Sequence, residues 1–197
     1  MSIDSHSADS TFVRIPRVFQ SLERDGPFDK CLLCERKLLV PHSSADAPTY
    51  FVERIFRGSE PIIEYALCLV CDDTARSELS KDSMHRIDVF FQEHVDFERR
   101  LWDMQQRRDR DQVEAWLAEC IVTKRKVEDC HERQILAICR GDQLALGTSM
   151  MLSGQAIEMV MPLLSQKTRD WLDEFTSANF GMPPEFCDAP DFCPILV

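Results

Sequence analysis

The sequence predicts an α+β protein, and three observations carry that prediction. Two Cys-x-x-Cys pairs, Cys31/Cys34 and Cys68/Cys71, flank two segments rich in Tyr, Phe, Val and Ile. Those segments, residues 49–57 and 61–67, are separated by Gly58, Ser59 and Glu60 and read as a β-hairpin. From Asp72 the apolar period becomes helical, so that Ile87, Phe90, His94, Phe97, Leu101 and Met104 form one narrow seam at alternating three- and four-residue spacing. The order is a cysteine-rich module built on a hairpin, a long helical spine, a small antiparallel hairpin and two C-terminal helices.

Composition allows that architecture and excludes others. A chain of 197 residues, 44% hydrophobic and 29% charged, can bury a sizeable core and lacks the bias of collagen or a disordered polymer. Its longest apolar run, residues 65–71, is far short of the roughly 20 residues that cross a bilayer, so no membrane association is expected. The net charge of −11 repels phosphate polymers and argues against a nucleic-acid partner. Arg107, Arg108 and Arg110 are offset by Asp103, Asp109 and Asp111, which leaves Lys124, Arg125 and Lys126 as an undiluted basic run that reads as a solvated turn.

Each element has its own signal. Residues 1–11 are polar and aperiodic and are expected to be a disordered tail, His6 included. Phe12, Val13, Ile15, Val18, Phe19 and Leu22 suit a short helix with Pro16 in its first turn, ended at Asp25, Gly26 and Pro27. Residues 31–40 read as a turn plus a short strand, and 41–48 as a loop. After a short helix to Leu79, the helical spine is expected to run unbroken to about residue 108. Asp111 with Glu114 has the form of a capping box for a short helix through Trp116. Residues 120–122, 132–139 and 143–146 read as strands, with Arg140, Gly141 and Asp142 as a hairpin turn. That tripeptide matches the integrin-binding motif, which would require an extracellular protein. Ser153 and Ser165 are placed to cap helices over 154–164 and 166–180, and Gly181 with Pro183 and Pro184 stops the second. Residues 185–197 are expected along the core surface. No internal repeat is legible. The boundaries so implied are a tail at 1–11, a metal-binding module at 12–80 and a mainly helical domain with a small β-hairpin at 81–197.

Nine cysteines without a basic and apolar N-terminal leader point to a reducing compartment, hence a cytoplasmic location. Two residues between cysteines let one tight turn aim both sulfurs at an ion about 2.3 Å away, and two such turns complete a tetrahedral thiolate site. The hairpin goes out and returns, which brings the second pair near the first. One structural Zn2+ held by Cys31, Cys34, Cys68 and Cys71 is the expected cofactor. A first Cys-x-x-Cys turn, a hairpin, and a second Cys-x-x-Cys leading into a helix resemble a treble-clef zinc finger over about residues 28–80. That resemblance implies structural ligands at those four cysteines and a helix starting near Asp72, but no particular function. Glycine often follows the second cysteine of such turns, whereas here Glu35 and Asp72 occupy those positions.

Residues 65–79 also match the strand, Cys-x-x-Cys and helix of a thioredoxin-like dithiol, although Asp72 and Asp73 would raise the thiol pKa. Cys120, Cys130, His131 and Cys139 are irregularly spaced and read as buried cysteines with a surface histidine. Cys187 and Cys193 read as packing residues or tail thiols, and His94 as a satisfied core histidine. No catalytic residue can be named: the sequence has no glycine-rich phosphate loop, no G-x-S-x-G elbow and no H-E-x-x-H helix. The function that fits is a zinc-stabilised interaction or adaptor protein with a protein partner. A thiol-based redox sensor or oxidoreductase and a zinc-finger nucleic-acid regulator are the alternatives. The helical seam suits packing within the chain and, as a second option, a homodimer.

Overall fold

In the computed structural model, which describes residues 12–106 and 112–181, the backbone is mixed helix and strand around one antiparallel sheet. Its strands are β1 (Phe12–Arg14), β2 (Thr49–Arg57), β3 (Glu60–Cys68), β4 (Glu132–Arg140), β5 (Gln143–Ala145) and β6 (Met150–Ser153). They lie in the order β1-β5-β4-β2-β3, and β6 pairs with β4 off that path. β2 and β4 form the centre, paired along their full length from Thr49↔Arg140 to Arg57↔Glu132. The helices are α1 (Leu69–Glu78), α2 (Lys81–His94), α3 (Phe97–Gln106), α4 (Val113–Trp116), α5 (Gly154–Val160) and α6 (Gln166–Phe180). The α+β class stands, and no helix among the described residues is long and apolar enough to cross a membrane.

The β2–β3 hairpin forms, but its turn is the two residues Gly58, at φ 62, and Ser59, because Glu60, expected in the connection, pairs with Arg57 as the first residue of β3. Tyr50, Val52, Ile55, Ile63, Tyr65 and Leu67 are all buried. Glu53 is fully buried and accepts a hydrogen bond from the Tyr65 hydroxyl. Arg54 is buried as well, pairing with Glu64 at 3.0 Å and donating to the Val18 carbonyl at 2.7 Å. Glu64, half-buried, in turn accepts from the Ser21 hydroxyl and the Leu22 N–H, so this ion pair fastens the N-terminal segment to the hairpin.

Several expected elements differ. The N-terminal helix is instead β1, paired with β5, followed by a single 3-10 turn at Arg17–Phe19. Pro16 favours an extended residue before it, and that residue, Ile15, is buried. The spine is not continuous. Val95 is buried and extended (φ −130, ψ 118), and the Asp96 carboxylate accepts the Arg99 N–H at 2.8 Å to begin α3 afresh. Residues 120–122 are a tight turn rather than a strand, and β6 was hidden among the methionines of residues 150–153. The expected small hairpin is therefore part of the central sheet. The Arg140–Asp142 turn is present, and Ser153 and Ser165 cap α5 and α6 through the N–H groups of Ala156 and Thr168. Gly181 ends α6 at φ 61. The expectations for residues 1–11, the Arg107–Asp111 cluster, Cys187, Cys193 and residues 185–197 lie outside the described residues.

Breaking the spine splits its seam. Ile87, Phe90 and Met104 are buried, whereas Phe97 and Leu101 are 41% and 47% exposed beside Trp102 at 53%. His94 is exposed too, its ring stacked on Phe90 and its Nδ1 2.8 Å from the Phe90 carbonyl, so it is not a core histidine. Arg100 ties α3 to the rest of the chain, its guanidinium donating to the Trp116 and Ser149 carbonyls. Truncating the seam should therefore give two unequal results in denaturant titrations. Ile87→Ala is expected to cost about 2–5 kcal/mol, the range for a buried aliphatic. Phe97→Ala, at a half-exposed position, is expected to cost about 1 kcal/mol or less.

Candidate metal centre

Cys31, Cys34, Cys68 and Cys71 converge, their sulfurs all lying within 4.8 Å of one another. Two turns bring them there. In the first, the Cys31 N–H donates to the Arg36 carbonyl at 3.0 Å and the Glu35 N–H to the Cys31 carbonyl at 3.0 Å. This closure requires a left-handed residue after the second cysteine, and Glu35 adopts φ 57 in the place where glycine was expected. In the second, β3 ends at Cys68, which sits extended as the N-terminal boundary of α1 and turns Cys71 back toward it. The turns are tied together by the Leu32 N–H donating to the Ala66 carbonyl at 2.8 Å. Leu38, fully buried, anchors the chain leaving the first turn.

The geometry fits a tetrahedral thiolate site. At a metal–sulfur distance of about 2.3 Å, a regular tetrahedron has edges of about 3.8 Å, and the Cys34 and Cys68 sulfurs are 3.7 Å apart. Four sulfur donors suit a soft or borderline ion. Electrostatics agree. Burial raises the proton affinity of the Cys31 thiol, but the N–H groups of Cys34, Cys68 and Leu33 outweigh it and bring the pKa down to about 7. Burial pushes the Cys68 and Cys71 thiols up; the other three sulfurs add to the shift at Cys71, whereas at Cys68 the Cys34 and Cys31 sulfurs add to it and Cys71 partly offsets it. Four thiolates this close repel one another unless a cation stands between them. Cys31 and Cys68 are buried, Cys71 is half-buried, and Cys34 is exposed, so the centre lies at the surface with its inner side in the core.

Sequence reasoning named the four cysteines; it did not find the backbone that supports them. The Cys68 N–H points at the Cys31 sulfur from 3.4 Å, a contact with no residue-type signature. The other soft side chains do not assemble with this cluster. Cys120, Cys130 and Cys139 are buried and His131 is exposed, and among the described residues only Cys31, Cys34, Cys68 and Cys71 form a potential metal-holding group. Lys124, Arg125 and Lys126 are exposed on the turn after Cys120. No family model, curated protein or solved structure matches the chain.

Proposed function

We propose that the chain is a zinc-stabilised interaction protein of the cytoplasm, in which Cys31, Cys34, Cys68 and Cys71 hold one structural Zn2+ in a treble-clef-like module. The convergence of four sulfurs from two turns across a hairpin carries this reading. All four tetrahedral positions are thiolates, which leaves no open position for a substrate, the pattern of structural rather than catalytic zinc. The residues between the ligands support a protein-binding role: Leu33, Leu69 and Val70 are 43%, 40% and 66% exposed around the centre. Exposed apolar side chains clustered on a rigid support suit contact with another protein.

The redox alternative draws on the lowered pKa of Cys31, but that thiol is 1% exposed, and the N–H groups that lower it serve a metal-bound thiolate equally well. Nucleic-acid binding has only the Lys124–Lys126 run to set against a net charge of −11. Metal analysis with thiol counting tests the reading. We expect one zinc per chain, with four thiols becoming reactive only after chelation. Metal-free protein with a reducible Cys31–Cys34 or Cys68–Cys71 disulfide would favour redox chemistry. Submicromolar duplex-DNA binding with a steep salt slope would favour the nucleic-acid alternative.

A further inference from the structure

We infer that residues 118–160 are a second copy of the cysteine-bearing unit, and that Cys120, Thr123, Ser153 and Ala156 are the four ligand positions of a second metal site whose thiolates, all but one, have been replaced. The two turns coincide bond for bond. Cys31 N–H to Arg36 carbonyl (3.0 Å) matches Cys120 N–H to Arg125 carbonyl (2.8 Å). Glu35 N–H to Cys31 carbonyl (3.0 Å) matches Lys124 N–H to Cys120 carbonyl (3.0 Å), and Leu38 N–H to Asp29 carbonyl (2.7 Å) matches Val127 N–H to Ala118 carbonyl (2.8 Å). Glu35 at φ 57 has its counterpart in Lys124 at φ 58, and the bridge Lys30↔Lys37 in Glu119↔Lys126. Two non-glycine residues in the left-handed region at the same place in the same turn make chance a poor account.

The match extends to the rest of each unit. Leu32 docks on β3 through the Ala66 carbonyl (2.8 Å) as Ile121 docks on β6 through the Met151 carbonyl (2.9 Å). Cys68 ends β3 and bounds α1; Ser153 ends β6 and caps α5. The Cys68 N–H faces the Cys31 sulfur at 3.4 Å, and the Ser153 N–H faces the Cys120 sulfur at 3.3 Å. The sheet supplies the symmetry. Tyr50 pairs with Cys68 in β2–β3 and Arg133 with Ser153 in β4–β6, so Tyr50 corresponds to Arg133 and, by the same shift, Phe56 to Cys139. Exchanging those partners carries the central pairs Tyr50↔Cys139 and Phe56↔Arg133 onto each other, which places a pseudo-two-fold axis at the Glu53↔Leu136 pair.

At the second centre hydrogen bonds do what a metal would do at the first. The Thr123 and Ser153 hydroxyl oxygens, in the positions of the Cys34 and Cys68 sulfurs, are 3.0 Å apart. The Ser153 hydroxyl donates to the Cys120 sulfur at 3.4 Å and accepts the Ala156 N–H at 3.3 Å. The Thr123 N–H also donates to that sulfur, so the remaining thiol is fully enclosed and satisfied. Ala156, in the place of Cys71, has no donor. One thiol of four cannot hold zinc, and the ligand class the frame would take is a tetrathiolate-preferring divalent ion.

The test restores the thiols in the full chain. Thr123→Cys/Ser153→Cys/Ala156→Cys is expected to hold one more zinc per chain than the wild type, and its cobalt(II) form to gain about one further equivalent of tetrahedral thiolate absorption. Thr123→Cys/Ser153→Cys, which keeps Ala156, is the milder variant and should bind one extra cobalt(II) through three sulfurs. The readout is the increment over wild type, so it stands apart from the reading of Cys31, Cys34, Cys68 and Cys71. A wild type without zinc would sink that reading, while an increment of one in the variant would still support this inference. Metal content unchanged in both variants, with the added thiols freely reactive, overturns the second-site inference, as does failure of both variants to fold.

Discussion

Cys34→Ser is expected to lose the metal and, with it, the folded state of much of the chain. A structural zinc site carries an apparent binding free energy of about 10–16 kcal/mol at neutral pH, comparable to or larger than the roughly 5–15 kcal/mol net stability of a domain. The loss should not stay local. Cys68 and α1 follow directly from β3, β3 pairs with β2, and β2 is a central strand paired with β4 from Thr49 to Arg57. Releasing the first turn from Cys68 therefore frees a hairpin that forms one side of the whole sheet. Metal analysis and denaturant unfolding of the purified variant check this, with Cys139→Ala as the comparison. Cys139 is fully buried, unlike the exposed Cys34, and lies in β4 outside the cluster, so its truncation should cost packing energy while leaving zinc at one per chain. Full zinc occupancy with wild-type stability in Cys34→Ser would remove Cys34 from the ligand set.

What the sequence made legible was whatever is decided within a few residues. The two-residue spacing in Cys31/Cys34 and Cys68/Cys71, the Gly58 turn, the capping serines Ser153 and Ser165, and the stop at Gly181 are local chemistry, and each is found as expected. What it hid depends on distant partners. β1 is a strand because Phe12 and Val13 meet Ala145 and Leu144, residues far along the chain. The helical seam is regular across Val95, yet burial of Val95 and the Asp96 cap outweigh propensity and end α2 there. The internal two-fold was hidden for a further reason. Residues 30–37 (KCLLCERK) and 119–126 (ECIVTKRK) share the first cysteine and a closing Arg-Lys, but the cysteines that advertise the first unit are Thr123, Ser153 and Ala156 in the second. What the units share is carried by backbone N–H and carbonyl groups, which every sequence possesses.

Gly141→Ala is expected to be the most damaging single-atom addition in the chain. Gly141 sits at φ +55 in the β4–β5 turn, and a Cβ there would meet the Val40 carbonyl oxygen and lie 3.1 Å from both the Cα and the N of His42. These are backbone atoms, so no side-chain rotation relieves the clash. The loop they belong to is also fixed: the Gly141 N–H donates to the Pro48 carbonyl at 2.9 Å, the buried Tyr50 hydroxyl donates to the Gly141 carbonyl at 2.9 Å, and Asp142 accepts the His42 N–H at 2.7 Å. The integrin-binding match of Arg140, Gly141 and Asp142 also lacks a free tip: Gly141 is buried against the backbone of Val40 and His42, and the exposed Asp142 carboxylate accepts the His42 N–H. Overpacking costs about 1–3 kcal/mol and a left-handed non-glycine residue adds about 1–2 kcal/mol, so a loss of roughly 2–5 kcal/mol is expected. Gly58→Ala separates the two contributions. Gly58 has nearly the same φ, +62, with nothing within 4 Å of its added Cβ, and should show the conformational cost alone. Paired urea titrations give the answer: a loss in Gly141→Ala no greater than in Gly58→Ala would mean that the loop at 41–48 yields freely, and that its docking on the turn contributes nothing to stability.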